Sequence, residues 1–186
     1  MKITPTSIPD VLLIEPLVRG DHRGYFFESF RQDLFEQHVG KITFVQDNQS
    51  KSEYGVLRGL HFQKPPFTQA KLVQCLQGEV LDVAVDLRIG SPTYGKSVSA
   101  RLSEENHHQL FIPRGFAHGF IVLSESAIFS YKCDNYYHAA SDGGLLWNDA
   151  AVNIDWILNS EIIKLSEKDQ SLPSLASITC FNAEEF

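Results

Sequence analysis

The side chains able to do chemistry lie far apart in the chain: His61 and His118, Lys71, Tyr131, Asp169, and the arginines Arg23 and Arg58. A histidine titrates near neutral pH and can take or give a proton. Arg23 and Arg58 each sit beside a glycine. Arginine's planar fork suits phosphate oxygens, and a neighbouring glycine lets backbone come close to a ligand. Lys71 opens a strand pattern with Val73 and Cys75 on its face. A lysine there either snorkels to solvent or meets an anion.

Each residue also has an ordinary structural use. His61 is flanked by apolar residues, as a hydrogen-bonded core histidine would be, and His118 carries the same ambiguity. An isolated arginine is often a surface ion-pair partner. Tyr131 shares a strand face with Ala127, Phe129 and Cys133, where a tyrosine packs. Asp169 in a first helical turn is commonplace. Spacing alone does not bring His61 and Asp169 together.

Other chemistries are disfavoured. No compact histidine pair with a nearby carboxylate occurs, and the adjacent His107 and His108 would point to opposite faces of a strand. Three cysteines, Cys75, Cys133 and Cys180, form neither a disulfide framework nor a thiolate zinc site. A net charge of −7 argues against bulk nucleic-acid binding, while leaving room for one small anion at local arginines. The segment from Met1 to Pro5 lacks a signal peptide's apolar region. No stretch approaches the ~20 apolar residues of a membrane span. A cytoplasmic protein, with neither nucleic-acid nor membrane partners, is expected.

The elements that must position these residues read mostly as β. Residues 78–88 form a strand pattern with Leu81, Val83, Val85 and Leu87 on one face, after a second pattern at 71–76. Gln77-Gly78 between them predicts a hairpin turn. Further short strands are expected at 44–45, 57–62, 98–102, 109–112, 119–123 and 127–133, separated by turns such as Gly90-Ser91-Pro92 and Pro113-Arg114-Gly115. Many short strands at regular intervals predict a sandwich or barrel rather than βαβ units. Residues 32–38 read as a helix with Leu34, Phe35 and His38 on one face. A short helix is expected after Ser166, a candidate N-cap with Asp169 three places on. No repeat or long linker divides the chain, so one domain over 1–186 is expected.

Taken in order, these segments resemble a known family. Gln46-Asp47-Asn48, Gly55-Val56-Leu57-Arg58-Gly59-Leu60-His61-Phe62-Gln63, Gln69-Ala70-Lys71, Asp82-Val83-Ala84-Val85-Asp86-Leu87-Arg88, Ser91-Pro92-Thr93-Tyr94-Gly95 and Ile112-Pro113-x-Gly115-Phe116-Ala117-His118-Gly119-Phe120 look like the dTDP-4-dehydrorhamnose 3,5-epimerases. Tyr131-Lys132-Cys133, Asn135-Tyr136-Tyr137, Asp155-Trp156 and Leu165-Ser166-x-Lys168-Asp169 continue the match. The resemblance implies an all-β, cupin-type jelly-roll barrel with a few short helices at its periphery. It also implies a homodimer, and an isomerase that needs no metal or organic cofactor. The implied reaction inverts C3 and C5 of dTDP-4-dehydro-6-deoxy-D-glucose on the route to dTDP-L-rhamnose. By the same resemblance His61 is the general base, Asp169 its orienting partner, Tyr131 the acid and Lys71 the group that meets the enolate oxygen. Arg23 and Arg58 match diphosphate-binding positions, and Glu28, Gln46 and Asn48 positions that hold the nucleoside. Phe26, His118, Tyr136 and Lys168 complete the substrate-binding set.

Departures occur at Asn148-Asp149-Ala150, where Asp-Pro is usual, at Ile157, where proline is usual, and in the loop Gln63-Lys64-Pro65-Pro66-Phe67. None falls on a matched catalytic position.

The reaction sets a geometric requirement. Base and acid must stand on opposite walls, and a barrel mouth supplies such walls. Strict strand alternation would put Arg58 and His61 on opposite faces, so an irregularity is predicted near Gly59. Rival readings are an epimerase of one carbon or a keto-sugar isomerase, a metal-dependent cupin, and a silent sugar-nucleotide-binding module.

Overall fold

A computed structural model describes residues 1–178 and 181–183, so Cys180 lies outside the described residues. Among the described residues thirteen strands form: β1 (Lys2–Pro5), β2 (Leu12–Glu15), β3 (Arg19–Asp21), β4 (Gly24–Phe26), β5 (Gln46–Glu53), β6 (Leu57–Gln63), β7 (Lys71–Gln77), β8 (Glu79–Asp86), β9 (Ser97–Ser103), β10 (Gln109–Ile112), β11 (Phe116–Val122), β12 (Ser126–Cys133) and β13 (Asp142–Gly144). Two helices accompany them, α1 (Gln32–Val39) and α2 (Glu167–Gln170). One sheet runs β1-β2-β10-β7-β12-β5 and the other β13-β6-β11-β8-β9, all antiparallel where paired, while β3 and β4 form a separate ribbon. This is the all-β jelly roll that the resemblance implied.

Three apolar clusters organise the layers. Val73 and Cys75 of β7, Val80 and Ala84 of β8, Phe120 of β11 and Phe129 of β12 meet between the sheets. Leu81, Val83, Val85 and Leu87 form the stripe legible in the sequence, yet they pack outward, beneath Trp156, Leu175, Ile178 and Phe181. Phe35 of α1 covers the other sheet's outer face against Leu12, Leu72 and Phe111. Each sheet is thus covered on both faces, and β10 and β11 are buried at every position.

Some sequence expectations need correction. Gln77-Gly78 does not close a hairpin, because β7 and β8 belong to different sheets. Gly78, at φ 77°, turns the corner between them, and a Cβ there would lie 2.2 Å from the Ser126 carbonyl oxygen. The strand expected at 44–45 starts instead at Gln46; Phe44 packs beneath α1. On α1 the core-facing residues are Phe35 and Val39, one turn apart, while His38 is exposed. α2 matches its expectation: the Ser166 hydroxyl accepts from the Asp169 backbone N–H at 3.1 Å. Among the described residues no helix is long and apolar enough to cross a membrane.

The irregularity near Gly59 is present. His118 pairs with His61 and Phe120 with Arg58, so Gly59 and Leu60 together face the single residue Gly119. Gly59 has φ 137°, and a Cβ on it would lie 2.6 Å from the Gly119 Cα. The extra residue resets alternation, and Arg58 and His61 consequently open into the same cavity.

Candidate active site

That cavity measures about 810 Å³ and opens between the two sheets. The β6–β11 wall supplies Arg58, His61 and His118. The facing sheet supplies Lys71 from β7, Tyr131 from β12, and Gln46 and Asn48 from β5. α2 contributes Lys168 and Asp169 at the rim. Imidazole and phenol therefore stand on opposite walls.

His61 Nε2 lies 2.7 Å from Asp169 Oδ1, and Asp169 is buried. The carboxylate accepts from Nε2–H, which leaves the lone pair on Nδ1. Burial pushes the His61 pKa below its usual 6.5; the Asp169 hydrogen bond and charge oppose this, and Lys71 and Lys168 add to it. The ring is neutral at pH 7 and able to accept a proton. Tyr131 is shifted the other way: burial raises its phenol above the usual 10, so the proton stays on.

Lys71 is buried, with its Nζ 5.8 Å from the centre of the Tyr131 ring. Its ammonium makes one long contact, 3.5 Å to the His61 carbonyl oxygen, which leaves N–H groups for an incoming oxyanion. Burial lowers its pKa, against the charges of nearby acidic groups. Arg58 donates through Nε to the Ser52 hydroxyl at 2.9 Å, leaving the rest of its fork for an anion. Gln46 donates to the Asn48 side-chain oxygen at 3.0 Å and accepts from the Tyr137 backbone at 3.0 Å. Lys168 is ion-paired with Asp142.

Four sequence-derived residues do not reach this cavity within one chain. Arg23 on the β3–β4 ribbon is exposed and paired with its neighbour Asp21 at 2.6 Å. Phe26 is 69% and Tyr136 65% exposed. Glu28 lies 3.7 Å from Arg31. Tyr137, the next residue after Tyr136, lines the cavity instead.

One buried group escaped the sequence reading. Asp82 sits on β8 with its carboxylate 2.8 Å from His118 Nε2. Its signal was available: it lies between Val80 and Ala84 on the strand face opposite the Leu81-Val83-Val85 stripe, and an aspartate on an otherwise apolar face has to be accounted for.

The three departures make local contacts of their own. Asp149 is buried and accepts from the backbone N–H groups of Ala151 and Leu175, at 2.8 and 2.9 Å. Ile157 has φ 67°, a conformation closed to proline. Phe67 of the unusual loop stacks on His138 with ring centres 4.0 Å apart. Among the described residues no group of three or more His, Cys, Asp or Glu is arranged to hold a metal ion.

The sequence model of the family described as dTDP-4-dehydrorhamnose 3,5-epimerase matches residues 5–177. The chain belongs to that family. The dTDP-4-dehydrorhamnose 3,5-epimerase of Salmonella typhimurium is 56% identical over 176 residues, spanning 94% of this chain and 96% of that protein. A crystal structure of the Legionella pneumophila enzyme in complex with dTDP-4-keto-L-rhamnose is 49% identical, with a TM-score of 0.91 over 96% of this chain and 94% of that one. More distant is a 3'-monoepimerase from Streptomyces bikiniensis in complex with dTDP-quinovose, at 34% identity and a TM-score of 0.86 over 94% of this chain and 88% of that one. The 3,5-epimerase family's chemistry is thus the frame for the cavity.

Proposed function

We propose that this enzyme inverts C3 and C5 of dTDP-4-dehydro-6-deoxy-D-glucose to give dTDP-4-dehydro-L-rhamnose, by proton abstraction beside the 4-ketone and without a cofactor. The observation that carries this is a neutral imidazole backed by a carboxylate, facing a protonated phenol across the cavity. His61 Nδ1 takes the proton from the carbon next to the ketone. Charge moves to the ketone oxygen, where the Lys71 ammonium meets it. Tyr131 returns a proton to the opposite face, and the centre is inverted. After one inversion His61 holds an extra proton and Tyr131 lacks one. Both must exchange with solvent before the second, so each inverted carbon acquires a solvent hydrogen. Arg58 holds the diphosphate, while Gln46 and Asn48 hold the nucleoside. His118 lines the sugar site, and Lys168 binds substrate at the rim.

The enzyme works as a homodimer in this reading, with residues 1–186 acting as one domain. The β3–β4 ribbon joins neither main sheet and is exposed throughout. Arg23, Phe26 and Glu28 then serve the partner's cavity, with Tyr136 at its edge. A cytoplasmic location fits the buried free thiols Cys75 and Cys133, which burial pushes up to about 12 and about 11. The test is incubation with the keto sugar nucleotide in D₂O, read by NMR. Deuterium at both C3 and C5 is expected. Label at one carbon would make this a monoepimerase, and none would remove the epimerase reading. Mixing inactive Arg23→Ala and His61→Ala chains tests the shared site. Mixed dimers carry one intact cavity only if Arg23 acts across the interface, giving about a quarter of full activity on statistical assembly. No recovery would place Arg23 elsewhere.

A further inference from the structure

Asp82 is fully buried, and one of its carboxylate oxygens, Oδ1, has no hydrogen-bond partner; among the described residues no other buried side-chain nitrogen or oxygen is left so. Leaving an acceptor unpartnered in a core costs about 1–3 kcal/mol, more if charged. Its neighbours Val80 and Ala84 face the same apolar cluster. An apolar residue would pack there at lower cost. Packing therefore does not account for Asp82.

What lies in front of it does. Asp82 does not line the cavity, but His118 and Lys71 both do. The other oxygen, Oδ2, takes His118 Nε2 at 2.8 Å. The His118 ring lies over Phe129, centres 6.0 Å apart and 20° from parallel, and 6.5 Å from Tyr131. With Nε2 engaged, Nδ1 is the nitrogen left for a ligand. The field of Asp82 also reaches Lys71, as do those of Cys133 and Asp142. Cys133 is a neutral thiol at pH 7, since burial pushes it up to about 11. Asp142 is ion-paired with Lys168. Asp82 is the carboxylate that remains to balance the lysine.

We propose that Asp82 is a positioning residue for the epimerisation, holding His118 with Nδ1 toward the keto sugar and placing a negative charge within electrostatic reach of the Lys71 ammonium. The proposal rests on the epimerase reading above. Asp82 touches no substrate. It acts through two groups that do, one as a hydrogen-bonding partner of the sugar and the other as the cation that meets the enolate oxygen.

The isosteric variant Asp82→Asn tests this, with wild type assayed beside it on the keto sugar nucleotide. A fall in kcat of about 10²-fold is expected, comparable to losing one preorganised donor, with the dTDP dissociation constant unchanged. The basic limb of the kcat profile should move to lower pH, because a buried ammonium without its counter-charge loses its proton more readily. Wild-type kcat and an unmoved basic limb would overturn the proposal, as would a lower kcat with the limb unmoved. Should the variant fail to fold, ¹⁵N NMR of the wild-type histidine rings decides. The proposal requires His118 protonated at Nε2 with an Nδ1 resonance that moves when the keto sugar nucleotide is added, and a bare Nε2 or an unresponsive Nδ1 would overturn it. A wild-type enzyme that puts no deuterium into the sugar would instead mark failure of the epimerase reading.

Discussion

Two imidazole–carboxylate pairs of nearly equal length present their imidazoles to the cavity, 2.7 Å for His61–Asp169 and 2.8 Å for His118–Asp82. They differ in setting. The His61 side chain keeps 34% of its surface open and takes its carboxylate from a short helix at the cavity rim. The His118 side chain is 7% exposed, and its carboxylate lies inside the sheet with no exposed surface. The first can trade protons with solvent between turnovers; the second is built to stay fixed. Matching geometry therefore does not mean matching work, and access to water separates a base from a holding group.

The sharpest way to break this comparison is to remove each imidazole in turn. His61→Ala should stop deuterium exchange at both carbons, a loss of about 10³-fold or more in keeping with general-base catalysis. dTDP binding should survive. His118→Ala should slow turnover by roughly 10²-fold yet leave slow exchange measurable, because the base is intact. Equal loss of exchange in both variants would erase the distinction.

Sequence legibility divides along the same line. His61, Lys71, Tyr131 and Asp169 could be named because ordered motifs carried them, and the Gly59 bulge followed from counting positions between Arg58 and His61. Asp82 opens the Asp82–Arg88 motif, but the Leu81-Val83-Val85 stripe masks it. That stripe suggested a core-facing side, whereas both faces of β8 are covered, and the polar residue lies on the one that faces the site. The bounds of β5 are illegible for the opposite reason. Its sequence is polar because it is an edge strand paired on one side only, so no apolar alternation marks it. Gly78 could be recognised as a turn, but which sheet the next strand joins depends on long-range pairing that no local signal encodes.

A smaller effect sharpens the first pair. The His61 pKa lies below 6.5, because burial outweighs the support of Asp169. Activity should thus persist below pH 6.5 and fall on the acid side as His61 gains its proton. Asp169→Asn removes the groups' raising influence, so the acid limb of kcat should shift to still lower pH while the plateau drops. A limb moving upward would mean that Asp169 does not support the imidazolium.

Inversion requires a base and an acid acting from opposite walls, and Tyr131→Phe removes the acid alone. Incubated with the keto sugar nucleotide in D₂O and followed by NMR, this variant should still incorporate deuterium at carbons that His61 reaches, with configuration retained and inversion lost. Full conversion to the inverted sugar by Tyr131→Phe would contradict it.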